Sequence, residues 1–177
     1  MSTITSAQLS PDGVHRFNLV RQWREDAPRV CWIMLNPSTA DATVDDHTIR
    51  KCIGFTRSFM TGGDALGTRY GSLEVVNLFS YRATRPKDLK QQPPERAIGP
   101  CNDHAILDAC NRAHLVICAW GVHGTWLGRN GAVKKLLRER GWRPQCLCLS
   151  KDGHPMHPLT LGYNLKPIPF PLQEYVA

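Results

Sequence analysis

Residues 30–35, Val-Cys-Trp-Ile-Met-Leu, form an unbroken apolar run that stops at Asn36-Pro37-Ser38. A run without polar alternation is how a strand reads when helices cover both of its faces, as in a parallel sheet. Pro37 has no N–H for a ladder and biases Asn36 toward an extended or turn conformation, so the strand ends there. Asn36 is thereby displayed at the carboxyl end of a central strand, the edge where open α/β sheets bind ligands.

Residues 73–79, 114–119 and 145–149 read as three further buried strands, and residues 15–23 as an edge strand in a hairpin with residues 30–35. Between them lie helical patterns. Ile49, Cys52, Ile53 and Phe59 share a face, with Thr43 or Asp45 as N-cap; Asn102 or Asp103 opens a second helix; residues 130–140 make an amphipathic third, closed by Gly141. The order βαβαβαβ predicts a three-layer α/β/α sandwich with a central, mainly parallel four-stranded sheet, right-handed crossovers and an N-terminal antiparallel edge strand. One domain over residues 1–177 is expected, with no repeat or linker.

With 42% hydrophobic and 21% charged residues the chain is neither disordered nor membrane-spanning in composition; no apolar run approaches the roughly 18 residues a bilayer requires. The N-terminus lacks the basic-then-apolar pattern of a secretory signal, which makes the cytoplasm the expected location. Seven cysteines, without a Cys-x-x-Cys, fit reduced thiols, with Cys31, Cys118, Cys146 and Cys148 as small buried hydrophobes. The spacings of Cys52, Cys101 and Cys110 match no ligand pattern, so neither metal nor cofactor is expected. The net charge of +7 suggests a polyanionic partner, most often nucleic acid.

All strand carboxyl ends of a parallel sheet lie on one edge. Here they are Asn36-Pro37-Ser38, Asn77, Trp120-Gly121 and the loop bearing His154 and His157. One cleft holding two amides and an imidazole is the predicted site. Residues 61–72, with four glycines, read as a functional or mobile connection.

These residues carry a resemblance. Met34-Leu35-Asn36-Pro37-Ser38 resembles the Gly-Met-Asn-Pro-Gly water-activating motif of the uracil-DNA glycosylase superfamily, and Val75-Val76-Asn77-Leu78 resembles its base-reading strand. Ala119-Trp120-Gly121-Val122-His123 is similar to its Trp-Gly segment, and His157-Pro158-Leu159 to its closing His-Pro-Ser loop. From Arg16 to about Thr160 the chain also resembles a bacterial and phage family, Domain of Unknown Function 1643, marked by the strings MLNPSTAD, VVNLF, AWG and HPL.

The superfamily resemblance implies a monofunctional DNA glycosylase acting on a flipped base, without a cofactor. Asn36 would position water, and His157 would stabilise the leaving base, with His154 ranked second. Asp41, Asp45 or Asp46 would lend the carboxylate that an amide cannot replace, Asp45 and Asp46 foremost. Asn77 would read the Watson–Crick edge, since one amide offers both donor and acceptor. Phe79, Phe55 or Tyr81 would stack on the base. Arg82, Arg85, Lys87, Arg129 and Lys151 would hold phosphates. The uracil-specific branch carries a tyrosine where this chain has Ser38, which implies that 5-substituted pyrimidines are admitted, glucosylated hydroxymethylcytosine of phage DNA foremost, with the glycines of residues 61–72 making room for a sugar.

Two departures stand: no Ser-Pro-Leu-Ser follows the second motif, and the first lacks the acid of the fastest members. Repair of uracil or damaged bases, hydrolysis of free nucleotides and non-catalytic nucleic-acid binding stay open as alternatives. The expected protein is a monomer that binds DNA without sequence preference.

Overall fold

The computed structural model describes residues 4–60 and 68–173. Strands β1 (Ile4–Leu9), β2 (Arg16–Gln22), β3 (Arg29–Met34), β4 (Ser72–Asn77), β5 (Leu115–Cys118), β6 (Gln145–Cys146) and β7 (Ile168–Pro169) form one seven-stranded sheet in the order β1-β2-β4-β3-β5-β6-β7. Its centre, β4-β3-β5-β6, is parallel, and both flanks are antiparallel. The helices are α1 (His47–Ser58), α2 (Pro86–Leu89), α3 (Pro94–Ile98), α4 (Asn102–Asn111) and α5 (Arg129–Glu139).

The apolar run of β3 divides between two cores. Val30, Trp32 and Met34 pack with Ile49, Cys52 and Phe55 of α1, whereas Cys31 and Ile33 pack with Ile106 and Ala109 of α4 and Val133 and Leu137 of α5. Successive side chains of a strand point to opposite faces, so a strand sandwiched between helices has no polar position to spare. Each large side chain so buried contributes roughly 1.5–3 kcal/mol. Trp32 also donates its indole N–H to Thr56 Oγ1 at 3.0 Å, tying α1 to the middle of the sheet.

Several sequence expectations need correction. Residues 15–23 do not form a hairpin with β3: β2 pairs with β1 on one side and β4 on the other. Beyond β2, the N–H groups of Trp23 and Arg24 donate to Gly71 O just before β4, so the chain passes the end of β4 before entering β3. The edge strand is β1, which has no apolar alternation because five of its six residues are exposed. β7 extends the other flank, and the fourth parallel strand is two residues long rather than five. The N-cap of α1 is Asp46, whose carboxylate accepts from Ile49 N at 2.8 Å. Thr43 is bound instead in a turn around the Asp41 carboxylate, and Asp45 is ion-paired with Arg21. Cys148 is half-buried rather than buried.

Of the glycine-rich connection, residues 61–67 lie outside the described residues. Its flanks, Met60 and residues 68–71, stand where α1 ends and β4 begins. That is the amino edge of the sheet, a strand's length from Asn77.

Candidate functional site

At the carboxyl edge of the parallel strands a cavity of about 660 Å³ opens, within the range of roughly 300–1,000 Å³ typical of small-molecule pockets. Each strand end contributes a wall: Asn36 and Ser38 after β3, Asn77 at the end of β4, Trp120 and Gly121 after β5, and His154 and His157 from the loop after β6. Met34, Leu35, Ile49 and Val75 supply apolar lining, and Asp46 stands at the N-terminus of α1. Gly121 has φ +72°, a left-handed conformation that a side chain would strain, and its N–H donates to Pro155 O at 2.9 Å, drawing the β5 and β6 loops together.

Asn77 is 1% exposed, and among the described residues neither its amide nitrogen nor its amide oxygen has a hydrogen-bond partner. Leaving a buried donor and acceptor unmet costs about 1–3 kcal/mol for each group. Its backbone carbonyl, by contrast, accepts from Asn102 Nδ2 at 3.0 Å, so the main chain is held while the side chain is left for something else.

Asn36 is half-buried. Its Nδ2 donates to Pro37 O at 2.9 Å and to Ala83 O at 2.7 Å, which fixes the amide orientation and leaves Oδ1, an acceptor, for a ligand or water. His157 opens a 3-10 turn (Pro158–Thr160), and its Nδ1 accepts from Leu159 N at 3.4 Å. A ring nitrogen that accepts an N–H carries no proton, so the neutral imidazole presents Nε2–H as a donor. Burial holds the His157 value below the ordinary imidazole range, with the Asp46 carboxylate opposing the shift, and the ring is therefore neutral at pH 7.

The other predicted residues are placed differently. Asp45 does not line the cavity: it accepts from Arg21 Nε at 2.8 Å. The Asp41 carboxylate accepts from Thr43 and Val44, bonds that hold it below its usual range, and it too lies outside. Phe79 is fully buried against Trp126 in the α4–α5 core, because β4 ends at Asn77 and the two-residue alternation ends with it. Phe55 is fully buried against Trp32, Phe59 and Tyr163, and Tyr81 packs on His15 and Arg96. None of the three aromatic rings lines the cavity.

Among the cations, Arg129 is buried, donating from Nε to Leu78 O at 2.8 Å and ion-paired with Asp103, so it braces α5 against the end of β4 and is closed to phosphate. Arg82 donates to Ser38 O and Gly13 O, and Arg85 is paired with Asp88. Lys87 and Lys151 are exposed.

Sequence reasoning missed Arg16, His47 and His123, which also line the cavity. Four of the seven histidines thus gather here, yet among the described residues no three His, Cys, Asp or Glu side chains are grouped to hold a metal.

A pH dependence follows. Burial also lowers His15, whose Nδ1 is 2.9 Å from Ser80 Oγ. Because both rings have folded values below the unfolded one of about 6.5, the unfolded chain takes up protons first. Their contribution to stability is complete above that value and is lost as pH falls through the folded values. Urea melts from about pH 7.5 to about pH 5, above the ordinary carboxylate range, should show the midpoint falling; a flat midpoint would show that neither ring is held neutral.

Among the described residues no helix is long and apolar enough to cross a membrane. No curated protein and no solved structure matches the chain. Residues 16–159, which run from the first residue of β2 into the His157 turn and so include Asn36, Asn77, Trp120, His154 and His157 of the cavity wall, match the family described as protein of unknown function (DUF1643), and the chain belongs to that family.

Proposed function

We propose that this chain is a monofunctional DNA glycosylase that draws an extruded pyrimidine into the cavity and hydrolyses its N-glycosidic bond, on a three-layer fold of the uracil-DNA glycosylase kind. The observation that carries the reading is Asn77: a buried amide with donor and acceptor both unmet, at the wall of a pocket with the capacity for a base and more. Such an amide matches a Watson–Crick edge.

In the reaction a water oxygen held by Asn36 attacks C1′, the C1′–N1 bond breaks, and its electron pair leaves with the base. Negative charge grows on the base carbonyl, where the neutral His157 Nε2–H donates. Asp46, the acid that stands at the cavity, accepts the proton the water gives up. Ser38 lines the cavity without a ring to exclude a 5-substituent, so the proposed substrate is a 5-substituted pyrimidine, glucosylated hydroxymethylcytosine of phage DNA foremost, and the product is an abasic site in an invading genome.

A second reading is favoured by the cations. Three of the five expected at phosphates are engaged by the protein itself, which thins the DNA-facing surface and suits a free nucleotide.

Matched oligonucleotides carrying uracil, thymine, cytosine, hydroxymethylcytosine and its glucosylated form test both. Release of 5-substituted bases with alkali-labile sites is expected, with DNA affinity falling steeply as salt rises. Release of uracil alone would refute the Ser38 argument. Hydrolysis of nucleotides with salt-independent affinity and inert oligonucleotides would establish the second reading.

A further inference from the structure

Arg16 is 2% exposed and lines the same cavity as Asn77, yet among the described residues it has no carboxylate in salt-bridge contact. Nη1 donates to Ala40 O at 2.8 Å, and the buried Nε has no hydrogen-bond partner among the described residues. Burial pushes the guanidinium down to about 10, with Asp46 partly offsetting the loss, so it stays charged at neutral pH. A buried charge this poorly met is expensive unless something else completes it.

The backbone places it there by an irregularity. Along β1 and β2 the pairing runs Ala7 with Leu19 and Gln8 with Asn18, then slips by one residue to Leu9 with Arg16. Leu19 and Arg21 face the α1 side, and an extra residue in β2 puts Arg16 in phase with them instead of opposite. Register slips of this kind re-aim side chains and are common beside functional sites.

Arginine donates and cannot accept. Taking the cavity as the base site proposed above, we infer that Arg16 is a ligand-binding residue that selects an oxygen acceptor on the nucleotide, complementing the two-sided amide of Asn77. Two sources carry that chemistry: a ring carbonyl of the base, or a phosphate oxygen.

The test uses the whole chain and ligand binding by NMR titration, so it does not depend on turnover. Probes are 2′-deoxyuridine, the pyrimidinone deoxynucleosides lacking either O2 or O4, and inorganic phosphate. Arg16→Gln removes the charge; Arg16→Lys keeps it but loses the planar fork. The expected result is that both variants retain the wild-type fold by backbone spectra and bind deoxyuridine about 10- to 100-fold more weakly, the range of a hydrogen bond to a charged group. Affinity for one of the two carbonyl-deficient analogues should be unchanged, which names the carbonyl. A loss confined to phosphate would assign the acceptor to the backbone and still support the inference. Equal loss on every probe would make Arg16 structural and overturn it, as would undiminished binding of all probes or no binding of any probe by the unaltered chain. Failure of the glycosylase reading looks different: Arg16-dependent binding would persist while no oligonucleotide released a base.

Discussion

Under the proposed glycosylase activity, Asn36→Ala and His157→Ala should each leave a folded protein whose base-release rate falls about 10²–10³-fold, near 3 kcal/mol of transition-state stabilisation, the scale of one preorganised donor or positioning group. Asn36 stands just past the end of β3 and His157 in the loop after β6, and neither belongs to either core cluster. Removing the Asn36 amide frees Ala83 O beside an open cavity, where water can meet it, while Pro37 O keeps its bond from Ala83 N. Removing the His157 ring leaves Leu159 N, in an exposed turn, to solvent. Single-turnover kinetics on the best substrate, with melts to verify folding, measure this; full activity in either variant would remove that residue from the mechanism. Asn36→Asp is not expected to act as a simple gain of a base, because a carboxylate would face Pro37 O and Ala83 O where the amide now donates to both.

The largest expected loss of stability lies away from the cavity. Glu74 is fully buried within β4, accepting from Arg29 Nη1 at 3.2 Å, from Arg112 Nη2 at 2.7 Å and Nε at 3.2 Å, and from Asn18 Nδ2 at 3.2 Å. Arg29→Ala with Arg112→Ala would strand the carboxylate in the interior, which costs about 3–5 kcal/mol for a broken buried pair. Either single variant should cost less than half of that, because the remaining arginine still donates to the carboxylate. Denaturant melts of the four proteins in a double-mutant cycle read the coupling. Additive single and double losses would show that Glu74 does not depend on the pair. Glu74→Ala should cost less than the double variant, since both arginines reach solvent and can be rehydrated.

What the chain determined by itself was the centre. Residues 30–35 are apolar on both faces, and residues 73–79 are apolar apart from Glu74 and Asn77; segments of that kind have few places other than the middle of a helix-covered sheet, and Pro37 then dictates where the first strand stops. Parallel strands put their carboxyl ends on one edge, so the convergence of Asn36, Asn77 and His157 was legible before any coordinates. The tertiary structure decided what depends on partners distant in sequence. Which strand β2 pairs with, and whether Asp45 or Asp46 faces the cavity, turn on contacts such as that of Arg21 with Asp45 across 24 residues. Phe79 left the face of Asn77 because alternation holds only while the backbone stays pleated. Arg16 entered the cavity because one slipped residue reversed its face, and a slip of one carries no signature in composition or period.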